Sequence, residues 1–264
     1  RGKSRSRKKE NIIKEIEKLV EEGFKEIILI GINLGAYGED LDEGENFESL
    51  LKSILEINKL QRVRIGSVYP DKISDEFINM FDNKKLMPHL HISLQSCDDE
   101  VLKRMRRKYG SSLIEERLLK LKKKVKNMEY TADVIVGFPG ETEEMFQNSY
   151  NLIEKIGFSG IHIFQYSDRE NTIASSFTDK IDAKVKKERA DRLEVLKSEM
   201  AKKERKKYIG KHLSVLLEEK INGYLYGYSE NYLRVKIKDN GIEVNSIIDI
   251  KINSLEKEML IAYE

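Results

Sequence analysis

The chain has 264 residues, of which 39% are hydrophobic and 36% are charged, so it can bury the core of one large domain or of one medium and one small domain. Its 48 lysines and arginines oppose 46 acidic residues, which leaves a net charge of +2 and requires any basic surface to be local. A single cysteine, Cys97, excludes a disulfide framework and a cysteine-only metal site within these residues. No apolar stretch approaches the roughly 20 residues that span a bilayer, and no signal peptide is visible, so we expect a cytoplasmic protein without a membrane partner.

Basic residues concentrate in four runs, at residues 1–9, 103–108, 120–126 and 202–207. Each run can either contact phosphate or form a solvated helix face, and for any one run alone the solvated face is the better interpretation. Residues 1–7 contain no apolar side chain and begin without methionine, so we expect this segment to continue a longer chain upstream.

Hydrophobic periodicity predicts alternating helices and strands up to residue 167. The predicted helices lie at residues 8–22, 47–55, 74–81, 98–105, 112–126 and 145–156, and the predicted strands at 26–30, 63–68, 90–96, 133–136 and 160–167. Ser74 is a candidate helix cap. Five strands that alternate with helices indicate a parallel sheet or barrel with right-handed crossovers.

The stretch T-A-D-V-I-V-G-F-P-G-E at residues 131–141 is the centre of this pattern. An apolar strand ends at Gly137, Pro139 and Gly140, and an acidic first helical turn follows at residues 141–144, where the helix dipole favours negative charge. A glycine-rich turn at the carboxyl end of a strand can hold a ligand against bare backbone. It can equally be a turn shaped only for packing, and the two interpretations remain open.

Small polar residues collect where the predicted strands end. They are Gly31, Asn33, Ser67, Tyr69, Ser93, Gln95, Ser96, Gly137, Gly140, Gln165, Tyr166 and Ser167. Ligands of parallel α/β folds bind at these ends. Because the set is nearly free of titratable groups, it favours a cofactor held by backbone and amide hydrogen bonds over acid–base chemistry with paired carboxylates.

The histidines do not form a metal-binding motif in the sequence. His89 and His91 lie on one face of a predicted strand, whereas His162 and His212 are far along the chain, so structural histidines are expected and no metal ligand is predicted.

The sequence pattern changes after a long charged helix predicted at residues 183–208. Short alternating segments at 212–217, 224–228, 232–237, 247–252 and 259–263 are separated by turn residues, and they predict a small closed antiparallel barrel. Tyrosines 224, 226, 228 and 232 lie close in sequence to three cations. Aromatic and cationic side chains together are typical of RNA-binding surfaces, although the tyrosines could instead fill the barrel core. The predicted RNA-binding residues are Tyr228, Asn231, Tyr232, Arg234 and Lys236.

Seven motifs together resemble the radical S-adenosylmethionine methylthiotransferases that carry a C-terminal TRAM domain. They are, in order, R-G-K-S-R-S-R, G-I-N-L-G-A-Y-G, H-L-H-I-S-L-Q-S, L-K-R-M-R-R-K-Y, T-A-D-V-I-V-G-F-P-G-E-T-E-E, F-Q-Y-S-D-R-E-N-T-I-A and G-Y-S-E-N-Y-L-R-V. The resemblance covers the whole chain. The first two motifs are most similar to the branch that modifies N6-threonylcarbamoyladenosine beside the tRNA anticodon.

This resemblance implies a partial (β/α)6 barrel that lacks its first strand, in residues 1–182, a connecting helix in 183–207 and an antiparallel TRAM barrel in 208–264. It also implies that S-adenosylmethionine lies across the strand ends. By position in the motifs, Gly31 and Asn33 would hold its amino group, Ser93 and Gln95 its ribose or carboxylate, and Arg104 its carboxylate. Ile135, Gly137 and Phe164 would contact its adenine.

In this family a 4Fe-4S cluster cleaves S-adenosylmethionine to a 5′-deoxyadenosyl radical, and an auxiliary 4Fe-4S cluster delivers sulfur to carbon 2 of the adenine in tRNA. The resemblance implies a monomeric transferase and leaves the sulfur and electron donors unidentified. The CxxxCxxC motif that ligates the radical cluster is absent here, and Cys97 alone cannot replace it. We therefore expect a fragment that is inactive by itself. The alternatives are a non-catalytic RNA-binding remnant, or a relative acting on isopentenyladenosine or on a ribosomal protein.

Overall fold

The computed structural model describes residues 5–41, 44–170, 172–239 and 241–263, so residues 1–4 of the opening basic motif lie outside the described part of the chain. Helices and strands alternate through its first two thirds. They are α1 (Lys9–Glu21), β1 (Glu26–Leu29), α2 (Phe47–Leu55), β2 (Arg62–Val68), α3 (Asp75–Met80), β3 (Leu86–Gln95), α4 (Asp99–Arg104), α5 (Ser111–Lys124), β4 (Glu129–Val136), α6 (Glu143–Ile156), β5 (Gly160–Gln165) and α7 (Ala183–Lys206). Among the described residues, no helix combines the length and the apolar character needed to cross a bilayer.

The strands β1 to β5 form one sheet in chain order, and every neighbouring pair is parallel. The predicted five-stranded parallel sheet is therefore confirmed. Side chains alternate between its two faces. On one face, residues such as Ile65, Ile92 and Val134 are buried in a single apolar cluster that includes Ile54 of α2 and Leu118 of α5.

Several helices begin where the sequence predicts, because polar caps satisfy their first backbone N–H groups. The Ser74 hydroxyl accepts from the backbone N–H of Phe77, and Asp98 accepts from Glu100 and Val101 at the start of α4. Thr142 does the same for α6. The caps place α4 and α6 directly after the carboxyl ends of β3 and β4.

The opposite face of the parallel sheet is polar, and we call it the polar face. It carries Glu26, Arg62, Arg64, His89, His91, Glu129, Thr131, Asp133 and His162. At the amino-terminal half of the strands these side chains are buried beneath a second sheet. Arg62 donates to the backbone carbonyl of Ser214 at 2.7 Å, and Tyr208 donates to Glu129 at 2.6 Å. The two sheets are therefore joined through hydrogen bonds to buried charges.

The second sheet contains six strands in the order β10-β11-β8-β7-β6-β9. They are β6 (His212–Ile221), β7 (Tyr224–Ser229), β8 (Arg234–Lys238), β9 (Ile247–Lys251), β10 (Ser254–Glu256) and β11 (Met259–Ala262). The prediction of a purely antiparallel sheet of five strands is wrong in two respects. β10 is an additional strand, and β11 pairs with β8 in parallel because the chain crosses over through β9 and β10 before it returns.

We expect Glu129 to make folding depend on pH. This side chain is 1% exposed, and burial raises its pKa from 4.5 to about 7 despite the hydrogen bond from Tyr208. Between these two pH values the folded chain binds more protons than the unfolded chain, so the unfolding free energy should fall as the pH rises through this window. For this residue the loss should approach about 3 kcal/mol, since one pKa unit corresponds to about 1.4 kcal/mol.

Urea denaturation of the wild type and of Glu129→Gln at pH 5 and pH 8 measures this contribution. The difference in unfolding free energy between the two proteins should shift in favour of the variant at pH 8, because glutamine keeps the acceptor for Tyr208 without an ionisable proton. The exposed control Glu17→Gln should leave the pH dependence unchanged. A parallel pH dependence of the wild type and Glu129→Gln would contradict this prediction.

Candidate functional site

The carboxyl-terminal half of the polar face is not covered by the second sheet in the same way. Ser93, Ile135 and Phe164, on three neighbouring strands, follow the alternation of the buried charges onto this face, whereas Ile28 lies in register with the buried Arg64. Ile135 and Phe164 are direct partners in the β4–β5 register. Phe164 is 51% exposed and Ile28 is 47% exposed. Exposed apolar side chains at the ends of parallel strands are typical of a ligand site.

The predicted cofactor residues Ser93, Ile135 and Phe164 thus lie on three neighbouring strands, and Gln95 ends β3 after a register shift that pairs it with Val134. Within the described residues, the side chains of Ser93 and Gln95 have no hydrogen-bond partner, so their polar atoms are available to a ligand. The backbone here is fixed by other contacts. The Tyr109 hydroxyl donates to the carbonyl of Ser93 at 2.8 Å, and Gln95 adopts a left-handed conformation with φ of 66° at the end of β3.

Gly31 and Asn33 follow β1, which β2 separates from β3. They line an open cleft of about 780 Å³ whose other walls include Ile12 and Leu19 of α1. Ile30, beside Gly31, is 81% exposed at the edge of the sheet. The structure therefore places these two predicted residues at the same end of the sheet as Ser93 and Ile135, but not in direct contact with them.

A buried ion pair holds the turn at Gly137. Its N–H donates to Glu141 at 2.7 Å, and Arg189 of α7 donates to the same Glu141 oxygen at 2.8 Å. Burial raises the pKa of Glu141, and the Gly137 N–H and Arg189 oppose that shift. Gly137 has a φ of +70°, and a Cβ there would lie 2.1 Å from the side chain of Lys186. The Gly137 N–H is therefore already paired with Glu141 and not free for a ligand. For this N–H group, the interpretation of the turn as a packing feature is favoured.

Arg104 is engaged by another residue. Both oxygens of Asp179 accept from its guanidinium, at 2.7 and 2.8 Å, and the guanidinium stacks over Phe177. The backbone carbonyl of Asp179 also accepts from Gly140. In this structure Arg104 therefore fastens the glycine-rich turn to residues 173–179, and its predicted contact with a cofactor carboxylate would require exchange of Asp179.

The residues present fit S-adenosylmethionine better than an iron–sulfur cluster. The apolar pair Ile135 and Phe164 can flank an adenine, and the free amide and hydroxyl of Gln95 and Ser93 can hold polar groups of the same ligand. Cluster ligation needs several thiolates. Cys97 is 1% exposed, and burial raises the pKa of its thiol to about 12, so the described residues offer no cluster site.

Two histidines that lie far apart in the sequence meet an aspartate on the polar face. Register pairs His91 with Thr131 and Asp133 with His162, so His91, Asp133 and His162 lie side by side on β3, β4 and β5. The His91 Nε2 atom is 3.2 Å from an Asp133 oxygen, and the His91 and His162 rings are 5.6 Å apart. Chain distance does not separate His162 from His91, as the sequence analysis assumed, because β5 and β3 flank the same strand.

The tyrosines of the second sheet face outward. Tyr224, Tyr226 and Tyr228 pair in register with Lys238, Lys236 and Arg234 across β7 and β8. Leu225, Val235 and Ile237 point the other way, into the buried core. Lys236 lies 4.1 Å above the Tyr224 ring, and Arg234 stacks over Tyr226 and pairs with Glu219. We call these six residues the tyrosine–cation ladder, and its arrangement speaks against a core role for these three tyrosines.

The remaining two predicted RNA-binding residues are Asn231 and Tyr232, and Tyr232 is 38% exposed beside the ladder. Tyr232 stacks on Tyr228 with ring centroids 4.7 Å apart, and its other neighbours are His89 and Arg64 of the polar face. Asn231 is 0% exposed and its Oδ1 accepts from the Ser229 hydroxyl, so its side chain supports the turn and is not at the surface.

The chain belongs to the Radical SAM superfamily, whose family model matches residues 1–153. This finding confirms that the chain has the predicted radical S-adenosylmethionine domain. The parallel α/β sheet with ligand-accessible strand ends agrees with that membership.

The chain is also similar to individual curated proteins. The chain is 41% identical to the threonylcarbamoyladenosine tRNA methylthiotransferase MtaB of Bacillus subtilis, over 96% of this chain and 57% of that protein. It is 39% identical to the protein of the same name from Thermotoga maritima, over 98% of this chain and 59% of the relative. A tRNA-2-methylthio-N(6)-dimethylallyladenosine synthase of Thermoanaerobacter is also 39% identical, over 83% and 46%. The chain thus spans less than two thirds of these relatives.

The Gly137 turn should depend on Arg189 far more than on its neighbour Arg192. Both arginines stack over Phe146 and pair with the exposed Glu143, but only Arg189 also pairs with the buried Glu141. Arg189→Met leaves a buried carboxylate unpaired and should lower the unfolding free energy by about 3 kcal/mol. Arg192→Met, which removes an exposed pair and leaves the apolar stem, should cost about 1 kcal/mol or less.

Chemical denaturation of the two variants measures both losses under the same conditions. Because the two arginines share Phe146, the comparison separates the burial of Glu141 from the stacking contact. Equal losses in the two variants would show that the ion pair with Glu141 does not hold this turn.

Proposed function

We propose that this chain is the radical S-adenosylmethionine core and RNA-binding region of a tRNA methylthiotransferase that adds a methylthio group to carbon 2 of N6-threonylcarbamoyladenosine. The observation that carries this proposal is 41% identity to MtaB of Bacillus subtilis over 96% of the chain. The proposed division is a partial (β/α)6 barrel at residues 1–182, a connecting helix at 183–207 and a TRAM domain at 208–264. The proposal places the protein in the cytoplasm as a monomer.

S-adenosylmethionine would bind at the uncovered half of the polar face. Ile135 and Phe164 would flank its adenine, Ser93 and Gln95 would take its ribose or carboxylate, and Asn33 would lie near its amino group. When cleaved, this cofactor supplies a 5′-deoxyadenosyl radical. The role of these side chains is to orient the cofactor and to keep water from it. The described residues supply no thiolate set, so no step is assigned to an iron–sulfur cluster.

The tyrosine–cation ladder would bind the tRNA. Its outward tyrosines offer flat faces on which unpaired bases can stack, and Arg234, Lys236 and Lys238 can neutralise the phosphates between them. Stacking is worth about 1 to 3 kcal/mol per base, so three tyrosines suffice for a loop contact. Tyr232 contacts both Tyr228 of the ladder and His89 of the polar face, so the proposed RNA surface would lie next to the first sheet.

The second candidate function is RNA binding without catalysis, which the ladder alone would support. The two candidates differ in the strand ends, since only an enzyme core needs a cofactor there. Calorimetric titration of the 264-residue chain with S-adenosylmethionine separates them. Saturable binding that Phe164→Ala weakens supports the enzyme, and tRNA binding without cofactor binding supports the second candidate.

The activity itself requires the whole protein. The full-length gene product is to be reconstituted with iron and sulfide, then incubated with S-adenosylmethionine, a reductant and separate tRNAs carrying threonylcarbamoyladenosine or isopentenyladenosine. Mass spectrometry of the digested nucleosides should show a methylthio gain only on threonylcarbamoyladenosine. A gain only on isopentenyladenosine would assign the other branch, and a gain on neither would overturn the proposed reaction.

Removing one cation of the ladder should weaken tRNA binding uniformly across sequences. Lys236→Ala should reduce the slope of log affinity against log salt by about 1, because one fewer counterion is released from the phosphates. The control Lys155→Ala removes an exposed lysine that pairs with Glu115 on the outer helical layer. Filter binding at several salt concentrations measures both slopes. An equal reduction of the salt slope in the two variants would mean that the ladder is not the surface that contacts tRNA.

A further inference from the structure

Three possible metal ligands lie together on the polar face, between the half that the second sheet covers and the cofactor end. One nitrogen each of His91 and His162 and one carboxylate oxygen of Asp133 all lie within 4.8 Å of one another. The closest pair, His91 Nε2 and the Asp133 oxygen, is 3.2 Å apart. Two ligands bound tetrahedrally to one zinc ion at about 2.0 to 2.1 Å would be separated by a comparable distance.

The orientation of His91 is fixed by a second residue. Its Nδ1 atom lies 2.9 Å from the Thr131 hydroxyl, which can accept a hydrogen bond from that nitrogen. The Nε2 lone pair then points at the Asp133 carboxylate. Metal-binding histidines commonly hold their other ring nitrogen in this way, because the hydrogen bond fixes the tautomer and the ring direction. Thr131 also contacts His89 Nε2 at 3.1 Å, so two rings of β3 constrain its position.

The three candidate ligands remain accessible, and their charges are not neutralised by charged residues outside the site. His91 and Asp133 are partly buried, and His162 is exposed on β5. Within the described residues Asp133 pairs with no lysine or arginine, and the His162 ring has no hydrogen-bond partner.

We propose that His91, Asp133 and His162 form a binding site for a divalent first-row transition-metal ion such as Zn²⁺ or Co²⁺. Two imidazoles and one carboxylate favour these ions over Mg²⁺ and Ca²⁺, which prefer oxygen ligands alone. Three protein ligands leave at least one coordination position open to water or to a donor atom of a molecule bound at the strand ends. The site does not depend on the proposed tRNA chemistry, and it needs no cysteine.

The metal-free 264-residue chain, stripped with a chelator, is to be titrated with Zn²⁺ by calorimetry and with Co²⁺ by visible absorption. We expect one saturable equivalent. His91→Gln, Asp133→Asn and His162→Gln should each lower the affinity at least tenfold, since each removes one of three ligands. Thr131→Val should lower it about tenfold without changing the stoichiometry, as expected for a residue that positions a ligand.

His212→Gln is the matched control. His212 also contacts a carboxylate, Asp249, at 2.6 Å on the second sheet, but the described residues place no third ligand there. This variant should bind both ions like the wild type. Far-UV circular dichroism checks that the variants fold, and the exposed position of His162 makes its substitution the least disruptive.

Absence of a saturable equivalent in the wild type would overturn the site. So would an equal loss in His212→Gln and His162→Gln, since binding would then follow isolated histidines. The titration uses no tRNA and no S-adenosylmethionine, so failure of the proposed methylthio transfer leaves its outcome unaffected, and the reverse also holds.

Discussion

Arg62 and Arg64 project from β2 onto the polar face, where both are almost completely buried. Glu26 of β1 accepts two hydrogen bonds from Arg64, at 2.9 and 3.0 Å, and lies 3.6 Å from Arg62. One carboxylate cannot satisfy two guanidinium groups, and an unsatisfied buried charge costs several kcal/mol. The second sheet supplies the missing acceptors through backbone carbonyls of Ser214 and Glu230. The position of the second sheet therefore depends on charges carried by the first.

This arrangement divides the polar face in two. The amino-terminal half, with Arg64, His89 and Glu129, is closed by the second sheet and the residues that lead into it. The carboxyl-terminal half, with Ser93, Ile135 and Phe164, is left open. Because the turn after β4 is locked by Glu141 and Arg189, the open half has a rigid boundary. A ligand at the strand ends thus meets side chains that are already positioned, which reduces the ordering cost of binding.

Much of the first sheet could be predicted from the sequence, because aliphatic strands and capped helices alternate with short connections. The start of β3 was missed, since the prediction begins at residue 90 and the strand begins at Leu86. Pro88 lies in the missed part and cannot donate a backbone hydrogen bond. The ladder with β2 is irregular at this point, where partners pass from Leu86 directly to Leu90. The local sequence pattern therefore predicts too short a strand where the pairing with the neighbouring strand is interrupted and then resumes.

Register and long-range pairing could not be predicted in the same way. The parallel pairing of β11 with β8 joins segments that are separated by two other strands, and no local signal records it. The same limit applies to His162, whose neighbours on the sheet are set by the β4–β5 register. In contrast, the composition of β7 and β8 separates aliphatic from aromatic and charged positions, so the outward direction of Tyr224 and Tyr226 follows once two strands pair in antiparallel register.

The contact between Tyr232 and His89 depends both on a local turn and on the packing of distant segments. Tyr232 has a φ of 65°, an uncommon conformation for a tyrosine, in the turn between β7 and β8. The turn lets its ring stack on Tyr228 on one side and face His89 and Arg64 on the other. A strained backbone persists only where surrounding contacts determine it. Here those contacts come from both sheets, so the conformation of Tyr232 depends on how the second sheet packs on the polar face.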